Sequence, residues 1–342
     1  MKNRSGLLIW AMSFIPVTSF LRNPLSPPKQ RFSTSLQAVR PGSSVLVIGS
    51  GALHLLTAKQ AALAGYRTSV FTARYPRETL ELIYDEQACP LGSIPLTFLE
   101  ISNKNECEEA IAAAEAVILV TDGESTVTDF AIDAVIPDLP GATKVKHIVA
   151  MSRNLNGRGL GFFAQSAKEF ANPEVWAGAK VIVESYRMFE KKVRAKAEKV
   201  GATYTIVRAG TLKGGGPGAE STKGSGLYPH AAYALSAKFY TLGMVAKPNW
   251  RMLFDMDCQG VDLIGGDAVE GPGFLAVKAA VSWEAEKGDS GRLGVATAMV
   301  QALSQPNALN RDFAVTTAAS SQPPTQDDWD KKFGALGVSD QE

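Results

Sequence analysis

The sequence predicts an α/β protein built on a doubly wound, mostly parallel sheet of Rossmann-like type, followed by a C-terminal helical region. Three observations carry that prediction. Short β-branched runs alternate with helix-length stretches through residues 44–208, the order expected of β-α-β units. Several of these runs are apolar at successive positions, as strands covered on both faces require. A Gly-x-Gly turn, Gly49-Ser50-Gly51, stands where the first strand gives way to the first helix, a place where glycine permits a tight turn and a close backbone approach.

Taken in order, residues 44–48 form a strand and residues 52–64 an alanine- and leucine-rich helix. Residues 67–72 supply the second strand and complete the first β-α-β unit. Residues 94–99 hold a strand with a proline near its start, which suits a sheet edge. A helix over 106–114, a strand over 116–120, a turn at Thr121-Asp122-Gly123 and a helix over 130–136 follow. Residues 145–150 give another strand, residues 174–200 a long helix with a basic second half, and residues 202–207 a strand ending at Arg208.

Beyond Arg208 the texture changes. Residues 210–226 are rich in glycine and read as a loop, with no Gly-Lys-Ser/Thr ending to suggest a phosphate loop. Helices are expected over 227–244, 276–286 and 293–303, and a late strand over 312–316. The tail from Ser320 ends in a short helix or a loosely attached segment. The expected organisation is a leader over 1–40, a nucleotide-binding core over 43–210, a substrate or partner region packed on it over 211–319, and a tail over 320–342.

The glycine turn is the main chemical signal. Backbone amides at a helix N-terminus attract a pyrophosphate, and glycine lets the phosphates come close. The position of the third glycine in G-x-G-x-x-G is His54, so an imidazole there must point aside or push the helix away. After the second strand stands Arg74 rather than an acid. A guanidinium at that corner pairs with a 2′-phosphate, which favours NADP over NAD.

Residues 43–210 resemble the atypical short-chain dehydrogenase/reductase family of NAD(P)-binding proteins, especially its plastid and cyanobacterial branch. The resemblance rests on the first strand through Gly51, on Val70-Phe-Thr-Ala-Arg74, on the strand over 116–120, on Lys146-His-Ile-Val-Ala-Met-Ser152, and on Gly201-Ala-Thr-Tyr-Thr-Ile-Val-Arg-Ala-Gly210. The last is similar to the family's strand ending in Arg-Pro-Gly, with Ala209 in place of proline. The resemblance implies that Gly49, Ser50, Gly51, Arg74, Arg208 and Gly210 bind the cofactor. It implies catalysis by Ser152 and by Tyr186 as acid, with a lysine four residues on. Glu190 occupies that place and Lys191 comes one position later, about 100° round the helix.

Composition narrows the classes of function. The chain has 342 residues, 45% of them apolar, enough for a substantial core. Its 3 cysteines and 3 histidines share no metal-ligand or disulfide spacing, so no metal is expected. Residues 1–40 carry Lys2, Arg4, Arg22, Lys29, Arg31 and Arg40, and the first acid is Glu78. Without that leader the chain is mildly acidic, which argues against nucleic acid as a partner. The apolar stretch over 7–17 reads as a signal-peptide core, too short for a confident membrane span, and 21–40 as a transit segment. The order resembles the two-part leaders of plastid proteins in algae with secondary plastids, with Phe20 at the junction. Simple secretion or a short anchor is the alternative. The expectation is therefore a stromal plastid protein with no span in its mature form. Its leading function is an NADP-dependent oxidoreductase acting on a small apolar or pigment-related substrate. The alternatives are a non-catalytic NADP-binding assembly factor that docks a plastid protein, and a structural α/β protein without nucleotide.

Overall fold

The computed structural model describes residues 38–71, 94–122, 126–138, 143–154, 179–214, 260–267, 289–318 and 323–336. Contacts separate residues 1–35 from 36–342, and every described element belongs to the second unit. Arg74, the glycine-rich run from 215 onward and the helices expected over 227–244 and 276–286 lie outside the described residues.

The first half of the fold follows from the alternating pattern. Strand β1 (Ser44–Ser50) leads directly into helix α1 (Gly51–Leu63), and β2 (Arg67–Phe71) returns parallel to β1. Strand β3 (Leu96–Leu99) pairs with β2 at the sheet edge. Helix α2 (Lys104–Ala113) begins at Asn103, whose side chain accepts from the Glu106 amide, and α3 (Asp129–Val135) begins at Thr128, whose hydroxyl accepts from Ala131. These caps satisfy amides that have no partner within the helix. Between them lies β4 (Ala116–Thr121), buried at every position, followed by β5 (His147–Arg153), helix α4 (Ala179–Val200) and β6 (Thr203–Ala209).

The later elements complete the same sheet. Strands β7 (Thr211–Lys213) and β9 (Asp289–Gly291) form a small parallel pair of their own. Strand β8 (Gly260–Gly265) runs antiparallel to β10 (Arg311–Ala318), which is itself parallel to β6. Helix α5 (Arg292–Ala302) lies between them in sequence, and α6 (Gln326–Leu336) ends the described chain. Among the described residues the main sheet has eight strands in the order β3-β2-β1-β4-β5-β6-β10-β8. The sequence predicts neither β7, β8 nor β9. Two of these are only three residues long, and β8 has the polar Asp262 in its middle.

Two cores result, one on each face of the sheet, as a doubly wound fold requires. The α1, α5 and α6 side gathers Val45, Val47, Leu53, Leu56, Val295, Met299, Phe313 and Phe333. The α3 and α4 side gathers Leu46, Ile48, Leu119, Ile132, Phe189 and Val193. Helix α1 is buried from Ala52 to Ala62 because it is enclosed by the sheet and α5, with His54, Thr57, Lys59 and Gln60 buried among its apolar residues. Of the two readings of the tail, a helix is what forms, with Trp329, Phe333 and Leu336 in the core.

Candidate functional site

The sheet order reverses between β1 and β4, since the chain winds outward through β2 and β3 on one side and β5 and β6 on the other. In open α/β sheets the carboxyl ends of the strands at such a reversal form the crevice in which ligands bind. Gly49-Ser50-Gly51 lies at that point, with Gly49 beside Val120 and Ser50 beside Thr121 in the register.

The two glycines are required by close contact. A Cβ at Gly49 would fall 1.5 Å from the Val120 carbonyl oxygen. Gly51 has a φ of 84°, and a Cβ there would stand 2.7 Å from Asp122 Cβ, so both backbone conformation and space exclude a larger residue. His54 points aside, as its position demands. Its Nε2 lies 3.3 Å from the Val47 carbonyl oxygen, and burial lowers its pKa to about 4, so the ring is neutral at pH 7.

Ser50 occupies the cap position of α1 but makes no side-chain cap hydrogen bond. Asp122, just beyond β4, does that work. Its Oδ2 accepts from the Leu53 amide at 3.2 Å and from Arg292 Nε at 2.8 Å, and its Oδ1 accepts from Arg292 Nη2 at 3.1 Å. Burial opposes the ionised carboxyl, but the charge and hydrogen bonds of Arg292, the charge of Arg153 and the Leu53 amide prevail and hold its pKa below the ordinary value. Arg292 is itself 1% exposed and also donates from Nη1 to the Gly214 carbonyl oxygen at 2.8 Å. A diphosphate oxygen at the Leu53 amide would meet the Asp122 carboxylate, so the turn does not fit a dinucleotide while Asp122 keeps this position.

On the other face of the sheet, the alternation along β5 and β6 places Ser152 and Arg208 as cross-strand partners directed toward α4. Among the described residues, Ser152 Oγ and both polar side-chain atoms of Asn154 are buried with no hydrogen-bond partner. Such orphans are uncommon in folded proteins. Tyr186 is 2% exposed and shares the buried stripe of α4 with Phe189, Glu190, Val193 and Ala197. Glu190 receives two hydrogen bonds from Arg208, 2.9 Å from Nε and 2.8 Å from Nη2. Burial alone would lower the pKa of Arg208, but Glu190 and Asp312 together raise it above its ordinary value. Lys191 is exposed, as the extra 100° of helical rotation dictates.

The end of β6 is also committed internally. The Gly210 amide donates to Ser290 Oγ at 2.7 Å, that hydroxyl donates to the Val315 carbonyl at 2.6 Å, and Arg153 Nη1 donates to the Gly210 carbonyl at 3.0 Å. Arg208 and Gly210 are thus held by protein groups. Three residues of the site carry little sequence signal. Asp122 sits in what reads as a turn, Asn154 follows a strand without a motif, and Arg292 is 170 residues from its partner. The one usable hint for Asp122 is a carboxylate directly after a wholly buried strand that neighbours the glycine turn.

A scan against protein-family models gives no match, and a search of curated proteins gives none either. Among solved structures the chain is similar to a short-chain dehydrogenase/reductase of the wide type from Veillonella parvula in complex with NADP. The two are 15% identical with a TM-score of 0.42, over 82% of this chain and 99% of that one. It is also similar to an oxidoreductase from Lactococcus lactis, at 10% identity and a TM-score of 0.41, over 85% of this chain and 95% of that one. At this level the likeness concerns the arrangement of helices and strands alone.

Proposed function

We propose that this chain is a Rossmann-type protein that takes NADP as a ligand at the β1–α1 turn and serves as a non-catalytic plastid factor. The observation that carries the non-catalytic reading is the paired hydrogen bonding of Glu190 to Arg208. A lysine at position 190 would stand beside Tyr186 in the relay that the family resemblance implies. Here that place holds a carboxylate locked to a guanidinium, while the amine of Lys191 faces solvent. Position 190 therefore supplies no cation to stabilise the conjugate base of a tyrosine acid.

Nucleotide binding is supported by the glycine turn at the point where the sheet order reverses. Gly49, Ser50 and Gly51 are the residues assigned to the diphosphate side, and Arg74 to a 2′-phosphate. The acid-free leader, with its signal-like and transit-like parts, supports a plastid location. No described helix is long and apolar enough to cross a membrane.

Hydride transfer to a small apolar or pigment-related substrate is the second reading. It is favoured by Ser152 and Asn154, whose unpaired buried polar atoms suit the positioning of a substrate oxygen.

Calorimetric titration of the chain lacking residues 1–40 with NADPH and NADH tests the proposal, together with an assay of NADPH oxidation over a panel of quinones, enones and aldehydes. NADPH binding without turnover is the expected result. Turnover lost in Tyr186→Phe would overturn the non-catalytic reading, and no binding of either nucleotide would overturn the ligand.

A further inference from the structure

The amino end of α1 already holds an anion, and that anion is the chain's own. The Asp122 carboxylate takes the Leu53 amide with one oxygen and the forked guanidinium of Arg292 with both. These are the contacts by which two phosphate oxygens are ordinarily held, an amide at a helix start and a bidentate guanidinium. Gly51 permits the arrangement, since a side chain there would collide with Asp122 Cβ.

We propose, resting on the nucleotide reading above, that Asp122 is a built-in stand-in for the diphosphate and that Arg292 is the diphosphate's cationic partner. On binding, phosphate oxygens replace the Asp122 carboxylate at Arg292 and at the Leu53 amide. The Asp122 backbone amide donates to the Ser50 carbonyl at 3.0 Å, so the strand end stays in place and only the side chain has to turn out. Asp122 is 10% exposed against 1% for Arg292, and the carboxylate is therefore the partner with a route to water.

Two consequences follow from competition for one guanidinium. The nucleotide must displace an internal ligand, so its apparent affinity is lower than that of the open turn by the fraction of molecules that are open. The exchange also reaches Gly214, because Arg292 holds that carbonyl with its remaining nitrogen. Nucleotide arrival is thereby felt where β7 ends and the glycine-rich run begins.

The test compares NADPH affinity in the wild-type chain, Asp122→Asn and Arg292→Gln by calorimetry, with the Leu53 amide followed by NMR in the wild type alone. Asparagine preserves shape and an acceptor for Leu53 while removing the charge that competes for Arg292. The expected result is NADPH binding at least about ten-fold tighter in Asp122→Asn and at least about ten-fold weaker in Arg292→Gln. The wild-type Leu53 amide resonance is expected to shift on saturation with NADPH or inorganic pyrophosphate, and not with adenosine. This readout stands even if a variant fails to fold. Equal affinities in wild type and Asp122→Asn, or a Leu53 amide unmoved at NADPH saturation, would overturn the stand-in and leave nucleotide binding intact. Absence of NADPH binding in every folded form would overturn both.

Discussion

Arg208 and Glu190 join β6 to α4 by two hydrogen bonds of 2.9 and 2.8 Å, with both residues nearly buried. Arg208 also pairs with Asp312 of β10, and Arg194 lies 3.4 Å from Glu190. The group therefore ties the long helix to two neighbouring strands. Removing one member leaves a buried charge without its partner, which is the expensive way to break such a pair.

Glu190→Gln and Glu190→Lys are both expected to lose roughly 3 to 5 kcal/mol of stability in urea unfolding. The lysine variant restores the spacing Tyr-x-x-x-Lys in sequence, yet it sets an ammonium against Arg208. It is expected to unfold more readily than the glutamine variant and to gain no reductase activity. Replacing both partners, as in Glu190→Leu with Arg208→Met, recovers most of the loss, because the charges left behind, Asp312 and Arg194, are partly exposed and lie 3.9 Å from each other.

Gly49→Ala is expected to be among the most damaging small substitutions in the chain. Its methyl group would have to enter the Val120 carbonyl, 1.5 Å away, so β1 and β4 must separate and a loss above about 4 kcal/mol is expected. Gly42→Ala provides the comparison. It shares a positive φ, of 90°, but has open space around it, and a loss of about 1 to 2 kcal/mol reflects the backbone alone. Melting temperatures that shift equally in the two variants would contradict the packing explanation.

Acid is expected to weaken the fold through two histidines. Burial lowers His54 to about 4 and His147 to about 3, from an ordinary 6.5. The folded pKa is depressed in both, so below pH 6.5 the unfolded chain binds protons that the folded chain refuses. Their contribution is fully present above 6.5 and falls as the pH drops toward 4 for His54 and toward 3 for His147. Urea midpoints measured across this range should decline, and His54→Leu should make the decline shallower. An unchanged slope in that variant would remove His54 from the account.

Ser152→Ala is expected to leave stability unchanged or raise it by up to about 1 kcal/mol, since burying an unpaired hydroxyl is unfavourable. Thr57→Ala, which loses a 2.7 Å bond to the Leu53 carbonyl, should behave in the ordinary way and destabilise. A clear loss of stability in Ser152→Ala would show that its hydroxyl has a partner in the folded protein.

Much of the fold is legible in the sequence because strands buried on both faces leave a plain mark. Ala116-Val-Ile-Leu-Val120 cannot face water on either side, and the glycine turn announces where β1 stops. The full burial of α1 is not legible, since His54, Thr57, Lys59 and Gln60 are buried along with its apolar residues. What the sequence does not show are contacts that depend on three-dimensional closure. Asp122 and Arg292 meet only after α5 packs on α1. The role of Glu190 is fixed by Arg208 on a strand, beyond the reach of any helical spacing rule. Strand β8 is specified by its neighbour β10 rather than by its own composition, and β7 and β9 are too short to carry a period.

Helix α6 closes the core beside β10. Phe333 meets Phe313 edge to face, with ring centroids 5.5 Å apart, and lies beside Trp329 at 6.1 Å. Arg311 also donates to the Leu336 carbonyl at 2.8 Å. The apolar side of β10 around Phe313 is therefore completed only when residues 329–336 dock on it. A chain halted short of Trp329 would present Phe313 to solvent, and to any chaperone that reads exposed aromatic surface. Loss of α6 and loss of a complete core are therefore the same defect in this protein.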